Sequence, residues 1–233
     1  MNLESIKFYC PRWGATDSWD SFCSRAKLAG YDGVEADIAS PDIPEKDEML
    51  AALKKHNLEL IGQYWQSAEK DIDQHATNFK RFLNALASLQ PIFINAQTGK
   101  DYFTFDQNKK LFEIAQDFTK QTGISIVHET HRGKALFAAH ITANYLQKIP
   151  AINLTLDISH WCNVHESLLT DQADAVELAI QHTSHVHSRI GHPEGPQVND
   201  PRAPEWSETL QTHLQWWDKV VEANRKKGSG LTI

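Results

Sequence analysis

The 233-residue sequence predicts an α/β protein with the TIM (β/α)8 barrel fold, and three observations lead to that prediction. Apolar runs of strand length alternate along the chain with longer amphipathic segments, a pattern typical of parallel strands joined by helices. Eight such runs can be counted, which is the number that closes a barrel. The residues after the first run, 10–14, lack the glycine-rich phosphate turn of an open dinucleotide-binding sheet.

The predicted strands comprise seven complete segments and the start of an eighth. They are, in chain order, Ile6–Cys10, Gly33–Asp37, Leu58–Gln63, Pro91–Asn95, Ile124–Glu129, Ile152–Asp157, Ser184–His187 and Leu231–Ile233. We expect a single domain over residues 1–233, because no linker or low-complexity tract interrupts the pattern. The eighth strand is only begun, so we expect the C-terminal end of the barrel to be missing. We also expect Leu231–Ile233 to pair between the seventh and first strands.

The segments between the strands carry apolar residues at helical spacing. In the first segment, apolar residues within Trp19–Ala26 follow the i, i+3, i+4, i+7 pattern, and Asp17 or Ser18 is the candidate N-cap. Asp106 is the predicted N-cap of the fourth helix, and the last helix is expected over about Pro204–Lys226. The predicted inward face of that last helix consists of Leu210, Leu214, Trp217, Val220 and Val221.

Composition and charge narrow the classes of function. A net charge of −7 argues against a general nucleic-acid binder, which needs a basic surface, although a local basic pocket stays open. The sequence has no apolar run of membrane-spanning length, and residues 1–5 show no signal-peptide pattern. Its three cysteines form no CxxC pair and are expected to be reduced thiols. We therefore expect a cytoplasmic protein without a membrane partner.

Polar residues follow the fifth, sixth and seventh predicted strands. Nine of the twelve histidines lie between His128 and His192, and Glu129, Asp157 and His187 each come directly after an apolar run. In a barrel these strand ends meet at one face, where a buried unpaired carboxylate is costly and a metal ion compensates for it. Two carboxylates and an imidazole predict one divalent ion: Mn²⁺, Mg²⁺ or Co²⁺, with Zn²⁺ also compatible.

Each predicted ligand also has a purely structural interpretation. Glu129 could pair with Arg132 or His131 in a salt bridge, Asp157 could cap the loop after its strand, and His187 could be a hydrogen-bonded core histidine. Taken singly, these alternatives are at least as good as metal binding. Taken jointly, at the ends of three adjacent strands, the three residues favour a metal site.

These motifs resemble those of the xylose isomerase-like superfamily. That group includes D-tagatose 3-epimerase-like enzymes, inosose dehydratase-like enzymes and endonuclease IV. The resemblance rests on Glu129, on the Asp157-x-x-His160 spacing and on His187, and it covers nearly the whole chain. The segment His187–Val198 is similar to a subgroup described only as sugar phosphate isomerase/epimerase. The resemblance implies a sugar or sugar-phosphate isomerase or epimerase that transfers a proton next to a carbonyl through a metal-stabilised enediolate.

The resemblance also implies roles for particular side chains. Glu129 would be a metal ligand and one member of an acid–base pair, whose other member is a Glu expected a few residues beyond Ile233. His160 would act in catalysis by donating a hydrogen bond to a substrate oxygen. The remaining predicted substrate contacts are Arg189, Arg132 and Trp13. The expected partner is a small sugar or sugar phosphate, and a homo-oligomer is compatible with this prediction.

Several positions depart from the related enzymes and keep two alternatives open. Ala135 and Pro193 stand where D-tagatose 3-epimerase-like enzymes have substrate-binding Glu and Arg residues, which puts ketose 3-epimerisation in doubt. Asp200-Pro201-Arg202 stands where endonuclease IV has a zinc-binding Asp-x-His. One alternative is therefore an endonuclease IV-like phosphodiesterase with an incomplete zinc set. The other is a metal- or ligand-binding barrel without catalysis, because the eighth-strand Glu is absent.

Overall fold

The computed structural model describes residues 6–233, in which strands and helices alternate. The strands are β1 Ile6–Lys7, β2 Tyr9–Pro11, β3 Gly33–Asp37, β4 Glu59–Tyr64, β5 Phe93–Ala96, β6 Ile126–Glu129, β7 Leu154–Leu156, β8 Thr183–Val186 and β9 Leu231–Thr232. The helices are α1 Trp19–Leu28, α2 Lys46–His56, α3 Ile72–Ala87, α4 Phe105–Thr122, α5 Ala139–Lys148, α6 Ile158–Val164, α7 Ala173–Gln181 and α8 Ser207–Lys227. The predicted first strand is interrupted at Phe8, so it supplies both β1 and β2. Residues 1–5, which lack a signal-peptide pattern, lie outside the described range.

The strand order is β1-β9-β8-β7-β6-β5-β4-β3-β2. The two strands at the ends of this order follow each other directly in the chain, which is the topology of a barrel sheet. The chain therefore has the α/β TIM-barrel fold that the sequence predicts. Among residues 6–233, no helix combines the length and apolar character that a membrane crossing needs.

Residues Lys7–Gly99 and Thr104–Ile126 form one compact unit, called here the N-terminal unit. Its strands β2 to β5 pair in parallel, with Asp37 of β3 opposite Gln63 of β4. Gly33 is required in β3, because a Cβ there would lie 2.6 Å from the Glu59 carbonyl oxygen. Helix α3 buries an apolar face that includes Phe79, and it packs on β4 and β5 of this unit.

The second compact unit, the C-terminal unit, contains Val127–Ile233 with Ile6 and Lys100–Phe103. Its strands β6 to β9 are parallel, and Glu129 lies opposite Thr155. Strand β9 pairs with β8 through His185 and Thr232 and is followed by β1 in the strand order. The predicted position of the last strand, between the seventh and the first, is thus confirmed.

Helix ends and faces follow local chemistry, and two details of the sequence prediction were wrong. Ser18, one of the two predicted candidates, caps α1, but α4 is capped by Thr104 in a capping box with Gln107 rather than by Asp106. The last helix begins after a short 3-10 turn at Pro204–Trp206. Its predicted inward face is displaced, because Leu214 is exposed. The residues that α8 buries are Thr209, His213, Trp216, Val220, Ala223 and Asn224.

Candidate metal centre

The three predicted metal ligands lie together in the C-terminal unit. Glu129 ends β6, Asp157 follows β7 and His187 follows β8, and all three side chains are buried. One ligand atom from each lies within 4.8 Å of the ligand atoms of the other two. His187 Nδ1 is 3.5 Å from Glu129 Oε1 and 3.9 Å from Asp157 Oδ2. This donor set fits a divalent cation of the oxygen-preferring kind.

Hydrogen bonds of backbone amides between neighbouring strands determine the positions of the three predicted ligands. The Asp157 amide donates to Thr130 Oγ1 at 2.8 Å, and the Thr130 amide donates to the Thr155 carbonyl at 3.1 Å. The His187 amide donates to the Leu156 carbonyl at 3.2 Å. The ends of β6, β7 and β8 are therefore tied to one another at the residues that carry the ligands.

Asp157 occupies the N-cap position of α6, a helix that the sequence prediction missed. Its side chain makes no capping hydrogen bond, so the capping interpretation of this residue is not what the structure shows. Instead Asp157 Oδ1 accepts a short hydrogen bond from Ser159 Oγ. The first turn of α6 also brings His160 Nε2 to 3.6 Å from Asp157 Oδ2.

Arg189 joins this network from the loop after β8. Its Nη2 donates to Asp157 Oδ2 at 2.6 Å, and its Nε donates to Ser159 Oγ at 3.0 Å. Both oxygens of Asp157 therefore have partners, Ser159 on one side and Arg189 on the other. Gly191 lets this loop approach α6, since a Cβ at Gly191 would lie 2.5 Å from the Ser159 carbonyl oxygen. Sequence reasoning did not find Ser159, although its Asp-x-Ser spacing was visible.

His160 is a neutral imidazole in this environment. Burial lowers the pKa of His160 far below its usual range, and the nearby charges of His131 and Arg189 lower it further. Arg189 Nη2 donates to His160 Nε2 at 2.5 Å, which places the ring proton on Nδ1. That Nδ1 is buried and has no hydrogen-bond partner among residues 6–233. A buried N–H donor without an acceptor is a binding feature for an oxygen atom.

The electrostatics of the carboxylates also fit a cation. Burial raises the pKa of Asp157, and the neighbouring Glu129 raises it further, while Arg189 and His187 oppose the shift. A divalent ion would remove this penalty, because it favours the ionised form of both carboxylates. Glu129 also belongs to a second group of close ligand atoms with His131 and His160. His131 was predicted only as a salt-bridge partner of Glu129.

The remaining predicted substrate contacts are placed differently. Arg132 is exposed, and its carbonyl lies 2.6 Å from His131 Nδ1. Trp13 belongs to the N-terminal unit, where its side chain is half exposed. Asp200 and Arg202 form an ion pair with each other at 2.9 Å, in which Arg202 is largely exposed and Asp200 is partly exposed. Among the residues that the structure describes, Asp200 belongs to no group of close metal-ligand atoms.

Comparisons with known proteins bear on the fold. The sequence matches no protein-family model. It also matches no curated protein. Solved structures do resemble it: D-allulose 3-epimerase from Methylomonas sp. in complex with D-allulose has a TM-score of 0.66 at 17% identity, covering 97% of this chain and 83% of that chain.

Two further structures extend this likeness. The probable 3-DHS dehydratase from Bacillus anthracis has a TM-score of 0.65 at 16% identity, covering 97% of this chain and 92% of that one. An AP endonuclease of family 2 from Brucella melitensis has a TM-score of 0.59 at 16% identity, covering 89% of this chain and 88% of that one. The chain thus shares the TIM-barrel fold with these solved structures.

Proposed function

We propose that this protein is a metal-dependent sugar isomerase or epimerase that moves a proton at a carbon next to a carbonyl group. The observation that carries the proposal is the convergence of buried Glu129, Asp157 and His187 at the ends of three consecutive strands. A sugar epimerase and a dehydratase share the fold, which supports small, hydroxyl-rich molecules as the substrate class.

Glu129, Asp157 and His187 would hold one divalent ion, Mn²⁺, Mg²⁺ or Co²⁺, with Zn²⁺ also compatible. When bound, such an ion supplies Lewis-acid polarisation of the substrate carbonyl. All three side chains are buried, and charge interactions are stronger at a buried site than in water.

The neighbouring side chains then have separate tasks. Glu129 would take up the proton from the carbon next to the carbonyl and later return it, which is the acid–base role that the family resemblance implies for this residue. His160 would donate a hydrogen bond from its Nδ1–H group to a substrate oxygen, because Nδ1 is buried and has no hydrogen-bond partner among the described residues. Arg189, which is partly exposed, would hold a hydroxyl-rich end of the substrate, and exposed Arg132 would contribute less.

The proposal predicts a joint loss of metal binding and proton exchange in ligand variants. Glu129→Gln and an Asp157→Ala, His187→Ala double variant should bind metal weakly and fail to incorporate solvent deuterium into ketoses. Isothermal titration with Mn²⁺ and mass spectrometry of a ketose panel that includes D-allulose would measure both effects. We expect losses of about 10²-fold or more in exchange rate, the usual contribution of a positioned acid–base group.

Matched controls lie in the same unit but outside the site. His140→Ala and Asp171→Asn remove an exposed imidazole and an exposed carboxylate and should change neither quantity. Undiminished metal content in the double variant would exclude this metal centre. Metal binding without proton exchange on any ketose would support the alternative of a metal- or ligand-binding barrel without catalysis. Three bound zinc ions with cleavage of abasic DNA would instead establish the endonuclease IV-like alternative, which the net charge of −7 disfavours.

A further inference from the structure

Ser159 lies in the first turn of α6, directly beside Asp157, and it is completely buried. Its hydroxyl makes two hydrogen bonds: Ser159 Oγ donates to Asp157 Oδ1 and accepts from Arg189 Nε at 3.0 Å. A hydroxyl has one proton, and a guanidinium group can only donate, so the proton of Ser159 points at Asp157. The bond from Arg189 therefore holds the hydroxyl of Ser159 in the orientation in which it donates to Asp157.

Packing around α6 fixes the position of this hydroxyl. Buried Trp161 donates from Nε1 to the Leu136 carbonyl at 3.0 Å, which holds the helix within the C-terminal unit. The loop after β8 packs so closely on the helix that a Cβ at Gly191 would lie 2.7 Å from Ser159 Cβ. Ser159 therefore cannot move away from Asp157 without displacing this loop.

The two carboxylate oxygens of Asp157 have different surroundings. Oδ2 lies 3.9 Å from His187 Nδ1 and 3.6 Å from His160 Nε2, so it faces the other candidate ligand atoms. Oδ1 accepts the hydrogen bond from Ser159. A cation that used Oδ1 as well would break this bond and leave a buried hydroxyl without its acceptor, which is unfavourable. A cation at this site would accordingly bind Asp157 through Oδ2 alone.

The number of oxygens that a carboxylate offers discriminates between divalent ions. Ca²⁺ takes about six to eight oxygen ligands at about 2.3–2.6 Å, and it often takes both oxygens of one carboxylate. Mg²⁺ requires a nearly octahedral arrangement at about 2.0–2.1 Å, which the two closely spaced oxygens of one carboxylate do not fit. An aspartate that is restricted to one oxygen therefore favours small octahedral ions over Ca²⁺.

We propose that Ser159 is a positioning residue that makes Asp157 a one-oxygen ligand and so gives the metal centre a preference for Mn²⁺, Mg²⁺ or Co²⁺ over Ca²⁺. This inference rests on the proposed metal centre, but it concerns the choice of ion and does not depend on turnover. The bond between Ser159 and Arg189 contributes in a second way. It engages Arg189 Nε, which could otherwise bind Asp157 Oδ1 and form a two-pronged ion pair.

The test is calorimetric titration of the full chain with Mn²⁺ and with Ca²⁺, in the wild type and in Ser159→Ala. We expect the variant to bind Mn²⁺ about tenfold more weakly, the lower end of the usual effect of removing a hydrogen-bond partner of a metal ligand. Its affinity for Ca²⁺ should be unchanged or higher, because Asp157 can then offer both oxygens. The preference for Mn²⁺ over Ca²⁺ should thus fall by about tenfold or more.

The ratio of the two affinities separates positioning from a general structural role. A variant that is only less stable would bind both ions more weakly and keep the ratio. Thr142→Val is the matched control, since it also removes a buried hydroxyl of the C-terminal unit, one that donates to the Leu136 carbonyl at 3.2 Å. Both affinities should be unchanged in this control. The change in the ratio should persist when Ser159→Ala is combined with Arg189→Gln, because the charge of Arg189 repels both divalent ions alike.

An unchanged ratio in Ser159→Ala would overturn the inference, as would a wild type that binds Ca²⁺ as tightly as Mn²⁺. The two proposals fail separately. A changed ratio without deuterium exchange contradicts only the isomerase function, and exchange with an unchanged ratio contradicts only the role of Ser159. A wild-type chain that binds neither ion would overturn both.

Discussion

Two buried histidines of the C-terminal unit, His160 on α6 and His213 on α8, differ in how their ring nitrogens are used. His213 Nδ1 donates to the Thr209 carbonyl at 2.8 Å, and its Nε2 accepts from the Gly191 amide at 3.2 Å. His160 Nε2 accepts from Arg189, whereas its Nδ1 has no partner among residues 6–233. Burial lowers the pKa of both histidines, so both are neutral near pH 7.

The difference separates a residue that stabilises the fold from one that is available to a ligand. A buried polar atom normally has a hydrogen-bond partner, and leaving it without one costs about 1–3 kcal/mol. His213 avoids that cost by bonding two backbone groups, which links α8 to the loop after β8. The Nδ1–H group of His160 is still unsatisfied, so its free-energy penalty remains. A hydrogen bond to a substrate oxygen would remove that penalty.

The largest expected effect is on catalysis by a His160→Ala variant. Removal of a preorganised hydrogen-bond donor lowers turnover by about 10²–10³-fold, so proton exchange should fall by that order. The buried ring leaves a cavity, but its unsatisfied nitrogen is removed with it, so the free energy of unfolding should fall by less than in a His213→Ala variant. His160→Asn keeps a donor near the position of Nδ1 and should recover part of the rate. Deuterium incorporation and urea unfolding, measured on the same preparations, would show the contrast.

Replacement of His213 should show the opposite profile. His213→Ala leaves the buried Gly191 amide without its acceptor and creates a cavity, so the free energy of unfolding should fall by about 2–4 kcal/mol. Exchange activity per folded molecule should be retained. A His213→Ala variant as stable as the wild type, but inactive, would show that the comparison assigns the two histidines wrongly.

The difference in stability between the wild type and His213→Ala should depend on pH, in a direction that follows from the pKa of His213. Because burial lowers the pKa of folded His213, the unfolded chain binds a proton more readily. The stabilisation from neutral His213 is fully present above the unfolded pKa of about 6.5 and is lost as the pH falls below it. The difference in the free energy of unfolding between the wild type and His213→Ala should therefore become smaller as the pH falls from 7.5 to 5, a range that brackets the unfolded pKa of about 6.5. Urea unfolding of both proteins at several pH values would measure it.

The sequence predicted the fold and the proximity of the three candidate ligands because both depend on patterns that repeat along the chain. Apolar runs give the strands, and the strand ends bring Glu129, Asp157 and His187 to one place. Strand parity and chain order suffice for this result, since neither depends on a particular side-chain contact.

Features that depend on single contacts could not be predicted in this way. Helix α6 begins directly at a strand end and has only 7 residues. It buries polar Ser159 and His160 together with the apolar residues around them, so it has no separate polar and apolar faces that the sequence could reveal. The inward face of α8 was misplaced because buried His213 and Thr209 are polar. The hydrogen bonds of the His213 ring make its burial favourable, and the apolar pattern of the sequence does not reveal them. The roles of Ser159 and Arg189 likewise depend on loop geometry, including the close approach of Gly191, which sequence spacing does not specify.

The smallest expected effect is that of replacing Arg189. Its Nη2 donates a hydrogen bond to Asp157 Oδ2, and the same oxygen lies 3.9 Å from His187 Nδ1. A cation held by the three ligands would need that oxygen, and it would also repel the guanidinium group. Because Arg189 is partly exposed, solvent screens the pair, and its loss is worth at most about 1 kcal/mol. Arg189→Gln should accordingly bind Mn²⁺ roughly threefold to fivefold more tightly than the wild type. Arg189→Lys, which keeps the charge, should bind Mn²⁺ as the wild type does. Equal or weaker affinity in Arg189→Gln would mean that Arg189 supports the ligand geometry rather than competing with the metal.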